Sequence, residues 1–318
     1  MNPEPLRSFW HPVAVAADVA DRPVATTLLD EPLVLFRTGD GVSACHDLCI
    51  HRGTPLSLGW LEAGRLVCAY HGWQYAADGR CVRIPALEAG RPIPAKARVA
   101  AYRAEERYGL VWVCLGEPRA PIPPFPEYDD PTYERFFAGA YVWEAGAARL
   151  AENYMDLAHL PWVHPDVLGN PADEEVPPHR VETLEDGLCF DYGIDGPPGG
   201  ASYQGSGKIA FCQRLYLPFT IHQTRLTEGR RHVNFFTCQP ISATRTRRYM
   251  WVVRTGEFDG PIEAVQATTD LIREQDRGIV EAQRPEEVPV DLSAEMHLHG
   301  ADAAAVAYRR HLAHLAIE

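Results

Sequence analysis

Residues 49 to 71, "CIHRGTPLSLGWLEAGRLVCAYH", place two cysteines and two histidines close together, as Cys49-x-His51 and Cys68-x-x-His71. Thiolates and imidazoles at that spacing are metal ligands, so the first question is which metal. Structural zinc sites with two Cys and two His usually pair like with like around one tetrahedral ion. Here each pair is mixed. Mixed pairs suit a cluster of two irons, one iron taking both thiolates and the other both imidazoles. The sixteen residues between His51 and Cys68 leave room for a hairpin, so two loop tips can grip such a cluster from either side. Cys45 and Cys81 flank the segment, but neither has a histidine at ligand spacing.

A second constellation lies in "ENYMDLAHLPWVH", residues 152 to 164. An iron(II) that activates O₂ needs two His and one carboxylate on one face, with the other positions left open. His159 and His164 offer the imidazoles. On an ideal helix residues five apart point about 140° away from each other, so a regular helix cannot present both. Pro161 lies between them and is expected to end the helix, which frees His164 to swing back. Asp156 falls one turn before His159 and is either the third ligand or a group that hydrogen-bonds the ring. Asn153, a turn earlier, is a supporting residue or a solvated one. Farther along, Val265, Ile272, Ile279 and Val280 form an apolar stripe on a helical run, and Asp276 falls on it. A carboxylate on a buried face is costly unless paired or metal-bound. Asp276 is therefore the expected third ligand, with Asp156 as the alternative; Glu274 and Glu281 lie off the stripe and read as solvated.

Positioning these residues takes two domains, which 318 residues can supply. Residues 1–118 carry short β-runs broken by turns, such as "PLVLFR" followed by "TGDG", and "GLVWVCL", the pattern of a small antiparallel sheet. Residues 119–131 form a proline-rich connector. Residues 132–318 read as α+β: a helix over "AARLAENYMDLAHL", alternating strands, and a long helix that opens near Pro261 and stops before Pro285. In "KIAFCQRLYLPFTIHQTR" the apolar residues Ile209, Phe211, Leu215, Leu217, Phe219 and Ile221 recur every second position, one buried face of a sheet. A substrate pocket is expected on such inward positions, at Phe211, Gln213, Leu215 and Phe235, which serve equally well as plain core. Cys114, Cys189, Cys212 and Cys238 read as buried thiols. The net charge of −13, with no basic stripe, argues against nucleic acid and anionic membranes as partners. No long apolar run spans a bilayer and no secretory signal opens the chain, so the expected location is the cytoplasm.

With these residues in hand, "C-x-H-R-G … C-x-Y-H-G-W" resembles the Rieske domain of the ring-hydroxylating oxygenases over roughly residues 8 to 117. Ile50 and Ala69 stand where many members have Pro. Thr54 and Tyr70 lie near the places where respiratory Rieske proteins have an extra disulfide, and Trp73 stands where those have a hydroxyl donor. Fewer donors to the sulfurs favour a lower reduction potential. The segment from Asn153 to His164 resembles the N-x-x-D-x-x-H-x-P-x-x-H pattern of the family's monooxygenase members, and "EQDRGIVEAQ" resembles the segment with their aspartate ligand. The resemblance implies an all-β [2Fe-2S] domain followed by a helix-grip catalytic domain. It implies electrons entering at Cys49, His51, Cys68 and His71, and O₂ activated at Fe(II) on His159, His164 and Asp276. Asp156 would then bridge His71 of a neighbouring subunit to His159 in a head-to-tail homotrimer. No dinucleotide fingerprint and no plant-type cluster motif occurs, so NAD(P)H serves only through a separate reductase or ferredoxin. The expected reaction is monooxygenation of a small organic molecule, by C–H hydroxylation or demethylation. Ring cis-dihydroxylation is the alternative, and a Rieske electron carrier without oxygenase activity is the rival from another class.

Overall fold

The computed structural model describes residues 3–39, 41–165, 167–169, 171–172, 174–195, 208–227, 229–256 and 260–317. They form two compact units that divide between Ile122 and Pro123.

The first unit is built from short antiparallel strands: β1 (His11–Val15), β2 (Val24–Leu28), β3 (Glu31–Thr38), β4 (Gly41–His46), β5 (Trp60–Glu62), β6 (Arg65–Val67), β7 (Gln74–Tyr75), β8 (Cys81–Arg83), β9 (Ala101–Arg107) and β10 (Leu110–Cys114). Six of them make one sheet in the order β1-β10-β9-β4-β3-β2, and four make a second, β5-β6-β7-β8. Val34, Phe36, Cys45, Leu56, Leu66 and Tyr75 fill a shared core. The four-stranded sheet holds the Cys68 loop between β6 and β7, while the Cys49 loop follows β4. Two loops hung from different sheets thus meet over one core.

The second unit is α+β. Its strands are β11 (Glu134–Trp143), β12 (Glu182–Leu184), β13 (Gly187–Asp195), β14 (Lys208–Tyr216), β15 (Thr220–Thr227), β16 (Arg230–Ser242) and β17 (Arg245–Thr255). They pair in the order β11-β17-β16-β15-β14-β13-β12. The helices are α1 (Ala147–Met155), α2 (Leu160–Val163), α3 (Val265–Val280) and α4 (Ala303–Ile317). On β14 the alternation holds: Ile209, Gln213 and Leu215 are buried while Lys208, Ala210 and Cys212 are exposed. Cys212 is therefore a surface thiol and Cys189 a half-buried one, against the expectation of two core thiols. Met250 and Val252 on β17 pack with Ile262 and Val265, which seats the start of α3 on the sheet.

Two local expectations are corrected. The first helix ends at Met155, well before Pro161, because Asp156 turns extended (φ −74°, ψ 132°) and its carboxylate accepts from the Ala158 N–H. Pro161 instead sits in the first turn of α2, where its missing N–H costs nothing. On α3, Ile279 is 55% exposed, so the inward face runs through Val265, Thr269 and Val280. Four charges fasten the helix ends: Arg309 on α4 pairs with Glu152 on α1 and with Glu295 at 2.6 Å each, and Arg149 reaches Glu295 at 2.9 Å.

The later part of the proline-rich stretch packs on the second unit's sheet. Phe125 stacks on Phe235 (4.4 Å, 3°), and the buried Glu127 takes hydrogen bonds from His222 (2.9 Å) and Arg231 (2.8 Å). Burial alone would raise the Glu127 carboxyl, yet His222 and Arg231 hold it below the ordinary value. A depressed folded pKa stabilises above the unfolded value and loses that contribution as pH falls through the folded one. Glu127→Gln is expected to cost about 1–3 kcal/mol at neutral pH. In melting curves of both proteins the gap should close below roughly pH 4; a gap independent of pH would show that charge plays no part.

Candidate functional site

The two cysteine loops repeat one backbone pattern. Cys49 N donates to Thr54 O and Gly53 N to Cys49 O; Cys68 N donates to Trp73 O and Gly72 N to Cys68 O, all at 2.8–3.0 Å. Each turn closes on a glycine at positive φ, Gly53 at 70° and Gly72 at 64°. Both cysteines are buried, whereas His51 and His71 are exposed. The rings of His51 and His71 stand 4.5 Å apart, edge to face. Like sits beside like, thiol by thiol and ring by ring, although the sequence pairs them crosswise. Burial pushes the Cys49 thiol up, and the adjacent Cys68 adds to it. Two thiolates side by side need a cation between them, and the donor set fits a two-iron cluster better than a single zinc.

Trp73 does not donate to a sulfur; it stacks on His51 at 4.7 Å and 7°. A donor that sequence reasoning missed is Tyr75, fully buried on β7, whose hydroxyl lies 3.1 Å from Cys49 Sγ. Burial keeps that hydroxyl protonated. The cluster loops are thus less bare of donors than Trp73 alone implied. Leu48, Ile50, Leu58 and Tyr70 in this region are exposed, and the Tyr70 ring lies 3.8 Å from that of His71.

In the second unit, His159, His164 and Asp276 bring one ligand atom each within 4.8 Å of one another. His159 donates its Nδ1–H to Asp156 (3.2 Å), and His164 donates its own to Gln275 Oε1 (2.9 Å). Both Nε2 atoms consequently face the same Asp276 oxygen, at 3.5 and 3.0 Å. Burial would lower the His164 ring's pKa, but the Asp276 carboxylate outweighs it and raises it. A site that pulls a proton onto an imidazole is one that favours a cation. Two fixed imidazoles and one carboxylate on one side, with a cavity on the other, fit iron(II). Gln275 gave no signal in the sequence beyond standing next to Asp276. Asp156 faces His159 and does not join the triad.

A cavity of about 110 Å³ opens beside the triad, between the sheet and helices α1 and α3. Asn153, Asp156 and Phe211 line it. Gln213, Leu215 and Phe235 are fully buried and lie outside its lining, Phe235 being held against Phe125. Gln213 does a different job. Its Nε2 donates to Tyr154 O (2.7 Å), its Oε1 accepts from Gln223 (2.8 Å), Gln223 accepts from Asn234 (3.1 Å), and Asn234 lies 3.0 Å from His232 Nε2. The Tyr154 carbonyl can only accept, so it sets the direction of every amide in the line. Burial and the neighbouring Arg225 hold His232 neutral.

A cluster-binding sheet domain joined in one chain to a two-His, one-carboxylate cavity defines an oxygen-activating iron enzyme with its own electron inlet. Residues 9–103 match the Rieske [2Fe-2S] domain, and residues 143–318 match the vanillate O-demethylase oxygenase C-terminal domain. The methylxanthine N1-demethylase NdmA of Pseudomonas putida is 32% identical, across 98% of this chain and 90% of that protein. The N3-demethylase NdmB of the same species is 31% identical over 89% of this chain and 83% of the other. The solved structure of NdmA with caffeine superposes with a TM-score of 0.89 at 31% identity, covering 98% and 91% of the two chains. The chain belongs to the Rieske non-haem iron oxygenases. Among the described residues, no helix is long and apolar enough to cross a membrane.

Proposed function

We propose that the chain is a monooxygenase that oxidatively demethylates, or hydroxylates at C–H, a small organic substrate, with Cys49, His51, Cys68 and His71 holding the [2Fe-2S] cluster and His159, His164 and Asp276 holding iron(II). The observation that carries it is the convergence of two oriented Nε2 atoms and one carboxylate oxygen at the end of a cavity. Iron(II) held by these three residues would supply the chemistry that activates O₂. The protein's own residues do the rest. Asp156 and Gln275 fix the tautomers of the two imidazoles, and the apolar wall made by Leu157, Ile194 and Phe211 keeps bulk water from the site. For a methyl group on a heteroatom X the balance is R–X–CH₃ + O₂ + 2 e⁻ + 2 H⁺ → R–XH + HCHO + H₂O. The electrons come from a separate reductase. A head-to-tail homotrimer would set His71 of the partner subunit against Asp156, which already hydrogen-bonds His159 on its other side.

Purified protein is expected to hold about two irons in the cluster and one more per chain. With a generic reductase and a panel of N-methyl and O-methyl arenes, one formaldehyde should appear per O₂ and per NADH consumed. Stoichiometric zinc in place of iron would sink the reading, and a vicinal diol carrying both oxygens of ¹⁸O₂ would replace demethylation with ring dihydroxylation.

A further inference from the structure

The chain buries several arginines, and most have carboxylates at hand: Arg149 and Arg309 share Glu152 and Glu295, Arg254 pairs with Glu134, and Arg273 with Asp270 and Glu274. Arg248 differs. It is 5% exposed, yet among the described residues no carboxylate lies within ion-pair distance of it. One Nη touches Met250 Sδ at 3.1 Å, the guanidinium stands 5.8 Å from the Phe236 ring, and Nε has no hydrogen-bond partner. A thioether and a ring face do not replace the water such a cation has lost. Burial accordingly pulls the guanidinium below its usual range, though Arg stays charged in proteins.

Its place in the fold shows what is missing. On β17 it shares the inward face with Thr246 and Met250, and it lines the same cavity as Asp276, Thr269 and Ile272 from α3. The charge of Asp276 reaches Arg248, but that carboxylate is committed to His159 and His164. The cavity walls also carry Arg225, so two arginines face Asp156 and Asp276 before any metal adds positive charge. The rest of the lining mixes apolar and aromatic residues with the polar side chains of Asn153, Gln223, His232, Asn234 and Thr269. At about 110 Å³ the space is of the same order as the roughly 150 Å³ cavity known to hold benzene, which limits the occupant to a single small ring.

We infer that the substrate is a small single-ring molecule bearing a carboxylate, held by the fork of Arg248 while the carbon to be oxidised faces His159, His164 and Asp276. A planar guanidinium presents parallel N–H groups that match both carboxylate oxygens, and the pair is strong where water is excluded. The inference rests on the cavity being the substrate site of the proposed monooxygenase. The substrate ion thereby completes a charge pair that the fold leaves half-built.

The test is calorimetric binding, under nitrogen, of benzoate and its neutral isostere benzamide to protein carrying both metals. Benzoate should bind roughly ten-fold tighter or better. Arg248→Met should erase that preference while leaving benzamide within about three-fold and the iron content unchanged, and it should melt no lower than wild type, because an unpaired buried charge has been removed. Arg248→Lys should keep part of the preference, since the charge stays and the fork is lost. Equal affinity for the two probes, or no binding of either at millimolar concentration, overturns the inference. So does benzoate affinity that survives in Arg248→Met, which would place the carboxylate on the iron. Iron content and formaldehyde release of the unmutated protein test the monooxygenase reading separately.

Discussion

Asp276→Ala is expected to give a brown protein with an unaltered cluster spectrum, about two irons per chain instead of three, and no measurable product. The reason lies in how the triad is assembled. His159 and His164 are each oriented by their own partner, Asp156 and Gln275, so removing Asp276 should leave both rings in place. What goes is the single carboxylate that both Nε2 atoms face, and with it the charge that compensates a divalent cation. Two neutral imidazoles hold iron(II) weakly. The cluster residues lie in the other compact unit, so their spectrum serves as the internal control. Iron analysis with visible absorption reads both at once. Iron content unchanged from wild type would move the ligand role to Asp156.

Asp156→Asn separates metal binding from electron delivery. Its two carboxylate oxygens do different work: one accepts from Ala158 N at 2.8 Å and caps the turn, the other accepts from His159 at 3.2 Å. An asparagine can keep the first contact with its carbonyl oxygen, so the turn should survive. Its amide then points N–H groups at the N–H of His159, and the negative charge is gone. Groups that orient a metal-bound imidazole typically cost 10–100-fold when replaced, and loss of the bridge should push turnover to the upper end of that range or beyond, roughly 100-fold. All the iron should remain. The deciding measurement is single turnover of pre-reduced enzyme, following re-oxidation of the cluster after O₂ and substrate are added. Re-oxidation at the wild-type rate would remove Asp156 from the electron path.

What could be read in the sequence was whatever is close along the chain or has a strong periodicity. Cys49, His51, Cys68 and His71 stand out because their loops are short and their spacing is rigid; His159 and His164 stand out because a proline lies between them. Asp276 was legible because a carboxylate interrupted an apolar stripe, even though Ile279, one of the residues that defined the stripe, faces solvent. The break after Met155 comes from Asp156 and not from Pro161. Proline is the louder signal, but an aspartate that bonds the amide two residues on can end a helix by itself. The line from Tyr154 to His232 was invisible, because strand register alone brings together residues scattered over β14, β15 and β16. Gln213 is the hint, a polar side chain on an otherwise apolar inward face, which by sequence suits pocket lining or core and gives no sign of a link. Arg248 had the same signature on β17, an inward charge between Thr246 and Met250.

That line of amides has a mechanical consequence. It starts at His232 and Asn234, on the cavity wall, and ends on the last turn of α1, two residues before Asp156. Every group along it has its donor and acceptor direction set by the Tyr154 carbonyl. A molecule that turns the amide of Asn234 or Gln223 toward itself must therefore break or lengthen a bond in the line. One continuous line of hydrogen bonds thus joins the cavity wall to the helix end beside Asp156.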